Sequence, residues 1–444
     1  TGFPISLDQP ARFSGALPKA CDVAVIGGGI IGVMTAWYLT RAGKKVILCE
    51  KGRVGAEQSS RNWGWIRQQG RDLDELPIMV ESLALWRELA AELGPGLGFC
   101  QGGAVYMANS AKDMTEFENW MPHARAHGLD TRLLSRGEMA ELLGAEAWPG
   151  GMITPSDARA EPWVAVPMIA AALAEKGCAI VEDCAVRGLD VTNGRVQGVI
   201  TEKGAVTCAA VVLAGGAWSS LFLRAHGVAI PQLSMLASVA ATESLPEIFP
   251  GNAADTRFAF RRRMDGGYTI APGSVHDFFI GPDAFRNFST YLTALKRDFR
   301  STHFRAAAPA GFPDAWRTPR KWDMDRVSPF ERMRILDPAP NMNALGTVQD
   351  AFAAAYPHRG RPRLRATWAG MIDTMPDVVP VVDAAPIAGL TIATGMSGHG
   401  FGIGPGMGRV LADLVLGRAP GHDLRRFRFA RFTDGSKIQV APAL

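Results

Sequence analysis

Between Asp22 and Glu50 the chain reads DVAVIGGGIIGVMTAWYLTRAGKKVILCE, and the period of its apolar positions changes partway. Val23 to Ile26 form an uncharged apolar run, the pattern of a parallel strand buried on both faces. From Ile30 to Arg41 the spacing turns helical, with Ile31, Met34, Trp37 or Tyr38, and Leu39 placed to face a sheet. Gly43 ends this helix, and Val46 to Cys49 predict a second strand with Glu50 at its carboxyl end. Helical periodicity returns at Leu76 to Leu93, around Met114 to His127, over Arg136 to Leu143, and from Glu161 to a stop at Gly177. Short strands follow, the last of them (Ala210 to Ala214) running into Gly215-Gly216 and a helix at Ala217. Longer strands occupy Ile230 to Ile270 and end in FAFRRRMDGGYTI, where Asp265-Gly266-Gly267 signals a hairpin. Pro282 to Pro357 mixes helices with Pro-rich loops. After it come strand-like LRATWAGMID and VVPVVD, then LTIATG and a glycine-rich loop, with a closing helix expected from near Gly404.

The first of these junctions carries chemistry. Gly27, Gly29 and Gly32 make G-x-G-x-x-G between strand and helix. The first glycine allows the tight turn, the second lets backbone approach a pyrophosphate, and the third lets helix and strand pack closely. The phosphates would rest on unpaired N–H groups at the positive end of the helix. Glu50 lies about 20 residues on, where a carboxylate accepts hydrogen bonds from ribose hydroxyls. An acid there, rather than an Arg, argues against a bound 2′-phosphate. Gly215-Gly216 is a second strand–glycine–helix junction, which in an open parallel sheet also falls at the ligand crevice.

With 444 residues the chain exceeds one simple core. Nucleotide-domain patterns recur at its start, middle and end, separated by two blocks of different character, which predicts a discontinuous pair of domains. Net charge is only +4 with cations dispersed, so no field gathers nucleic acid or anionic membrane. The Arg-rich piece LRRFRFARF alternates with aromatics and reads as a surface-packed tail. The six cysteines show no C-x-x-C spacing, which argues against zinc or an iron–sulfur cluster and suits a reducing cytoplasm. No apolar run is long enough to cross a bilayer and no signal-peptide pattern opens the sequence, so a cytoplasmic location is expected.

Four stretches together resemble the D-amino-acid oxidase family of flavoproteins, with sarcosine oxidase, glycine oxidase and D-amino-acid dehydrogenases as relatives. They are VIGGGIIGVMTAWYLTRAG with VILCEK, SSRNWGWIR, VVLAGGAWS, and WAGMIDTMPDVVPVV with ATGMSGHGFGIGPGMGRVLADL, in the family's order. The resemblance implies an α/β fold: a Rossmann-like FAD-binding domain (residues 1–75, 155–228 and 360–444) interleaved with a mixed-sheet α+β substrate domain (76–154 and 229–359). It places Gly27, Gly29, Ile30, Ile31 and Gly32 at the pyrophosphate, and Glu50 and Lys51 at the adenosine. Ser59, Ser60, Arg61, Asn62, Trp63 and Gly64 then run beside the flavin. Val186 meets the adenine, Gly215 and Trp218 lie at the second glycine turn, and Gly370 is near the ring. Gly398, His399, Gly400, Phe401 and Gly402 approach the isoalloxazine from the end of the chain, with the closing helix aimed at flavin N1 and the C2 carbonyl.

The departures matter too. Relatives with covalent flavin place a His where Ser59 and Ser60 stand, or a Cys near Ala369 or Gly370; neither is present, so the FAD is expected to be non-covalent. The sarcosine-oxidase Lys after G-H-G-F is Gly402 here, while Arg67 matches the other carboxylate-binding cation and remains. No lysine occurs from Arg257 to Ile270, where some relatives keep one that helps oxygen react, which leaves O2 and an electron-transfer acceptor both open.

Arg67 could hold a substrate carboxylate in a bidentate pair, or brace its loop. Arg261 and Arg263 share one strand face and Arg262 the other; one could be a second clamp, although three in a row more often make a solvated face. Arg326 and Arg332 cannot be ranked. Tyr268 could cap the substrate or pack in the sheet, and His399 could accept a proton or line the flavin loop, with His276 a weaker case of the same kind. Trp63 and Trp65 pack near flavin or substrate, or in the core. The expected function is FAD-dependent oxidation of a small amino acid or secondary amine at its C–N bond, by hydride transfer to flavin N5 and hydrolysis of the imine. A secondary amino acid of N-methyl or N-carboxymethyl glycine type is the first reading. Primary D-amino acids, a longer amine, a nicotinamide-only dehydrogenase and a non-catalytic flavin-binding subunit are the alternatives. Oligomeric state is left open.

Overall fold

The computed structural model describes residues 3–299 and 301–439. The outermost ends of the 1–75 and 360–444 segments, and residue 300 within 229–359, lie outside the described residues. In the first sheet β1 (Val23–Ile26) is central, flanked in parallel by β2 (Val46–Cys49) and by Ala210–Leu213. Val23 stands opposite both Val46 and Ala210, so the two glycine-edged strand ends are level. Ala179–Val181 and Leu390–Thr394 extend the sheet in parallel, and Val381–Ala384 closes it antiparallel.

The uncharged run of β1 is explained by cover on both faces. Val23 and Val25 pack with Met34 of α1 (Ile30–Arg41) and Met407 of the closing helix, Gly400–Val415. Ala24 packs the other way, in a cluster with Val199, Val206 and Phe222 that belongs to the three-stranded 186–207 layer and the helix Ser219–Ala225. The closing helix begins at Gly400, not near Gly404. Its glycines serve close helix packing: a Cβ on Gly404 would stand 2.5 Å from Ile30 Cγ1, and one on Gly408 would stand 2.5 Å from Met34 Cβ.

The second large sheet is mixed and ten-stranded. Its spine is Leu233–Thr242, paired antiparallel along its length with Leu364–Thr374, Leu233 opposite Thr374. The expected hairpin joins Phe258–Arg262 to Tyr268–Pro272, with Arg262 opposite Tyr268. Thus Leu364–Thr374, within the 360–444 segment, belongs by pairing to this sheet before the chain returns to the first sheet at Val381. The helix Leu76–Leu93 packs on the closing helix, where Ser82 Oγ and Trp86 Nε1 both donate to the Gly402 carbonyl, at 2.8 and 2.9 Å. Among the described residues no helix is long and apolar enough to cross a membrane. No group of three or more His, Cys, Asp or Glu among them could hold a metal ion, and all six cysteines are free.

Candidate functional site

The turn after β1 does what its glycines demand. Gly27 has φ +108°, and a Cβ there would collide with the Ala214 carbonyl of the second glycine turn; one on Gly32 would collide with the Gly27 carbonyl. These constraints bring residues 27–32 and 214–216 side by side at one end of the sheet. The cleft between them is lined by Gly27, Gly29, Glu50, Lys51, Ser59, Val186, Gly215 and Trp218. Ile30 and Ile31 do not line it: both are buried in the core, and the Ile30 N–H donates to Ser59 Oγ at 2.9 Å. Glu50 Oε2 accepts from the Gly28 N–H and Oε1 from the Gly52 N–H, each at 2.7 Å. Burial pushes its carboxyl up to about 7, against the pull of Lys51 and those two amides.

Glu57 was missed from sequence. Its Oε1 accepts from Lys51 Nζ at 2.5 Å, Trp218 Nε1 at 2.9 Å and the Leu336 N–H at 3.1 Å, tying three distant segments at the floor of the cleft. Lys51 also lies over the Trp218 ring, 4.4 Å from its centroid. An acid in a Gly- and Ser-rich loop offered no spacing signal.

A second cavity, of about 470 Å³, adjoins this cleft, shares Gln58 with it and lies against strands of the ten-stranded sheet. Arg61, Asn62, Trp63, Trp65 and Arg67 come to its wall from one loop, and Gly398, His399, Phe401 and Gly402 from the other. Trp63 and Trp65 meet edge to face at 5.6 Å. Gly400 starts the closing helix without lining the cavity. At Gly402 a Cβ would be tight, 3.0 Å from the Trp65 carbonyl oxygen and 3.2 Å from Arg71 Nη2.

Other expected contacts play different parts. Ser60 lines neither cavity, because on the short helix Gln58–Arg61 its side chain points a third of a turn from Ser59; its hydroxyl donates to the Ala56 carbonyl. Arg61 is fully buried and pairs with Asp337 at 2.6 Å while donating to the Ala369 carbonyl at 2.9 Å, so it braces the loop against Leu364–Thr374. Asn62 Oδ1 accepts from the Gly64 N–H, and Gly64 (φ +78°) lies against Ala160 and Arg261, a turn residue outside the cavity wall. Gly370 lies behind the loop, where any Cβ would collide with Gln58 Oε1.

Tyr268 is a correction. Its ring is fully buried with Phe260 and Phe352, and its hydroxyl accepts from the Ile248 N–H at 2.7 Å, so it cannot cap a substrate. The arginine triplet is another. Arg261 pairs with Glu161 at 3.0 Å and Arg263 with Asp265 at 2.9 Å, both guanidiniums buried, and Arg262 donates to the Leu245 and Gly266 carbonyls. Neither a solvated face nor a second clamp is found there. Arg326 pairs with Asp323 at the surface, and neither it nor Arg332 lines the cavity.

Arg67 hydrogen-bonds the Gln69 carbonyl and stands 5.7 Å from the centroid of the Tyr106 ring. Among the described residues it has no carboxylate partner. Its loop is held by Asp157, which accepts from the Gln68 N–H at 2.7 Å and the Gln69 N–H at 3.3 Å; burial pushes that carboxyl up to about 6. Arg71 and Glu75 were not anticipated. Arg71 lines the cavity and pairs with Glu75 at 3.3 Å, and Glu75 meets His399 Nδ1 at 3.0 Å. The signal was present, a second Arg four residues after Arg67 with an acid four beyond it, one helical turn apart.

The site fits a dinucleotide with a flat, polar-edged ring. The Cβ-free glycines leave backbone bare where phosphates would lie, and three buried polar atoms near the second cavity, Gln58 Oε1, Arg61 Nη2 and Trp65 Nε1, lack hydrogen-bond partners among the described residues. Such groups are costly unless something satisfies them. An apolar groove of about 550 Å³ shares Ser274, His276, Ile372 and Ser397 with the cavity and continues past Phe278, Phe285 and Phe288.

The chain matches the DAO family, described as FAD dependent oxidoreductase, over residues 22–414. It is 24% identical over 448 residues to human mitochondrial sarcosine dehydrogenase, covering 96% of this chain and 43% of that protein. Identity is also 24% to sarcosine oxidase subunit beta of Rhizobium meliloti, covering 94% and 89%. The chain therefore spans less than half the length of the human relative. Among solved structures, L-amino acid deaminase from Proteus myxofaciens in complex with anthranilate superposes with a TM-score of 0.89 at 29% identity, covering 96% of this chain and 97% of that one. A family match over most of the chain joins a fold whose two glycine turns meet at one cleft, and the protein is a member of the DAO family of FAD-dependent oxidoreductases.

Proposed function

We propose that this chain oxidises the C–N bond of a small α-amino acid whose carboxylate is held by Arg67. The observation that carries the reading is a guanidinium on the cavity wall beside aromatic rings that, among the described residues, makes no direct ion pair with a carboxylate. Bound FAD supplies the hydride acceptor, and the chain's own residues bind and orient. Arg67 offers a planar fork that matches a carboxylate, which fixes the α-carbon at one depth in the cavity. Trp63, Trp65 and Tyr106 flank that fork with ring faces in a cavity still partly open to solvent. Gly27, Gly29, Glu50, Lys51, Val186, Gly215 and Trp218 line the cleft for the nucleotide, while Gly398, His399 and Phe401 close the ring end. Ser59 beside the ring loop, and Ala369 and Gly370 behind it, offer no His or Cys for attachment, in keeping with non-covalent FAD. Segments 1–75, 155–228 and 360–444 would carry the cofactor and 76–154 and 229–359 the substrate, with Leu364–Thr374 bridging them.

A secondary amino acid of N-methyl glycine type is the first reading, supported by the similarity to sarcosine dehydrogenase and sarcosine oxidase subunit beta. A second reading, a primary amino acid with a bulky apolar side chain, is favoured by the aromatic groove that continues from the cavity. Anaerobic bleaching of the yellow protein by a panel containing sarcosine, iminodiacetate, leucine and phenylalanine separates them. A protein that none of these bleaches is not an amino-acid oxidoreductase. Readmitting oxygen to the bleached protein then distinguishes an oxidase from an enzyme needing another acceptor.

A further inference from the structure

The buried acid beside the closing loop lines neither the cleft nor the cavity. Glu75 is completely buried at the N-cap of the helix Leu76–Leu93. One oxygen, Oε2, meets His399 Nδ1 at 3.0 Å and Arg71 Nη1 at 3.3 Å, while Oε1 has no partner among the described residues. Arg71 is buried as well; its Nε donates to the Arg67 carbonyl at 3.1 Å and its Nη2 to the His399 carbonyl at 3.4 Å. The guanidinium therefore joins the loop that presents Arg67 to the loop that presents His399. His399 lines the cavity, and with Nδ1 engaged by Glu75, its Nε2 is the nitrogen left for a molecule there.

We propose that Glu75 is a positioning residue that holds His399 as its Nδ1–H tautomer, so that His399 Nε2 takes the proton from the substrate ammonium before oxidation. The inference rests on the amino-acid reading above. At neutral pH an amino group arrives largely protonated, and in that form its nitrogen has no lone pair to stabilise the α-carbon as hydride leaves. In the step proposed, one N–H bond of the ammonium breaks and one bond from Nε2 to that proton forms; the amine becomes neutral and the imidazole an imidazolium. No electrons leave either partner in this step, and ionised Glu75 favours the imidazolium against burial and the charges of Arg71 and Arg67. The surrounding charges act in both directions. Burial acts to raise the Glu75 carboxyl, but His399 and Arg71 outweigh it and the net shift is downward. Burial lowers His399, opposed by Glu75, so the pair rests as carboxylate and neutral imidazole. Arg71 and Arg67 both disfavour the imidazolium. Asp157 is taken up by the Gln68 and Gln69 amides and Asp373 by those of Gly395 and Met396, so neither offers His399 a second acid.

The test has two arms, both on the full FAD-loaded chain. Nitrogen NMR of histidine-labelled wild-type protein, with the His399 signal identified by its loss in H399N, reads the tautomer directly. Protonated Nδ1 and bare Nε2 near pH 7 support the proposal, and the reverse tautomer overturns it. In the second arm, anaerobic reduction by an amino acid that bleaches the wild type is followed against pH. E75Q removes the charge that favours imidazolium, so the acid limb of the rate profile should move down by about one pH unit or more, and H399N should lose that limb. An unmoved limb in both variants overturns the dyad while leaving the amino-acid reading intact. Failure of every amino acid to bleach the wild type sinks the underlying reading instead, whatever the tautomer. A merely structural Glu75 would lower protein yield or melting temperature without displacing the limb.

Discussion

Replacing Arg67 by Met is the sharpest perturbation of the proposed substrate contact, because the structure lets folding and binding effects be separated. In the folded chain Arg67 contributes one hydrogen bond to the Gln69 carbonyl and a cation–π contact with Tyr106. Losing both costs about 1–2 kcal/mol of stability. No buried acid is stranded, since Asp157 keeps its bonds from Gln68 and Gln69. Against a substrate carboxylate, two charge-assisted hydrogen bonds at about 1.5–3 kcal/mol each would be lost. The cavity is partly open to solvent, so the lower part of that range applies, about 3–4 kcal/mol, which is a fall of roughly 10²–10³-fold in the second-order rate of anaerobic flavin reduction. Lys at the same position keeps the charge but not the fork, and roughly 10–100-fold is expected. Stopped-flow reduction measured with an amino acid and with the matching amine lacking its carboxylate supplies the control. The amine should react slowly with wild type and no slower with R67M. A loss under about fivefold for the amino acid, or an equal loss for the amine, refutes carboxylate recognition by Arg67.

Burial holds the Glu50 carboxyl up at about 7, and ribose hydroxyls bond best to its ionised form, so FAD should bind the apoprotein more weakly as pH falls through 7. The expected loss is about tenfold by pH 6, read by quenching of FAD fluorescence and abolished in E50Q. The same raised value means that the folded apoprotein binds more protons than the unfolded chain between 4.5 and 7, so this group's contribution to stability falls as pH rises through that window. Gly32→Ala places a methyl against the Gly27 carbonyl oxygen; forcing α1 off β1 should cost about 1–3 kcal/mol and yield protein purified with little bound flavin. Arg261→Met leaves Glu161 buried without its cation, a loss of about 3–5 kcal/mol visible as a lower Tm, while the surviving folded fraction reduces at an unchanged rate.

What the sequence made legible was whatever local physics determines. The strand–glycine–helix junction at 23–32 could be read because Gly32 stands against the Gly27 carbonyl of the same turn, and the one at 210–217 because Gly216 has φ +51°, both local demands for glycine. The glycines of SGHGFGIGPGMG misled for a related reason. Glycine signals both loop and close packing, and at Gly404 and Gly408 it is the methyl-free helix face against Ile30 and Met34 that requires it, so the helix begins four residues earlier than expected. Tyr268 and the arginine triplet were misjudged because alternation tells which residues share a strand face but not which sheet or helix covers that face. The face carrying Arg261 meets Glu161, far away in the chain, and a buried ion pair leaves no periodic trace.

The residues that give the cavity its charge were the least accessible to reading, and the reason lies in how the site is held. Neither 62–71 nor 397–399 is organised mainly by regular secondary structure. The loops are set by bonds across long stretches of chain: Trp368 Nε1 to the Arg61 carbonyl, Ser82 and Trp86 to the Gly402 carbonyl, and Arg71 to the His399 carbonyl. Each bond uses a side chain from one element to satisfy a backbone carbonyl of another, so the donor's identity follows from tertiary proximity alone. Glu75 then balances Arg71, and because one of its oxygens has no partner among the described residues, pairing with Arg71 alone does not account for it. A carboxylate kept ionised at that cost, in contact with a histidine on the cavity wall, is better explained by the state it imposes on the histidine than by any stability it adds.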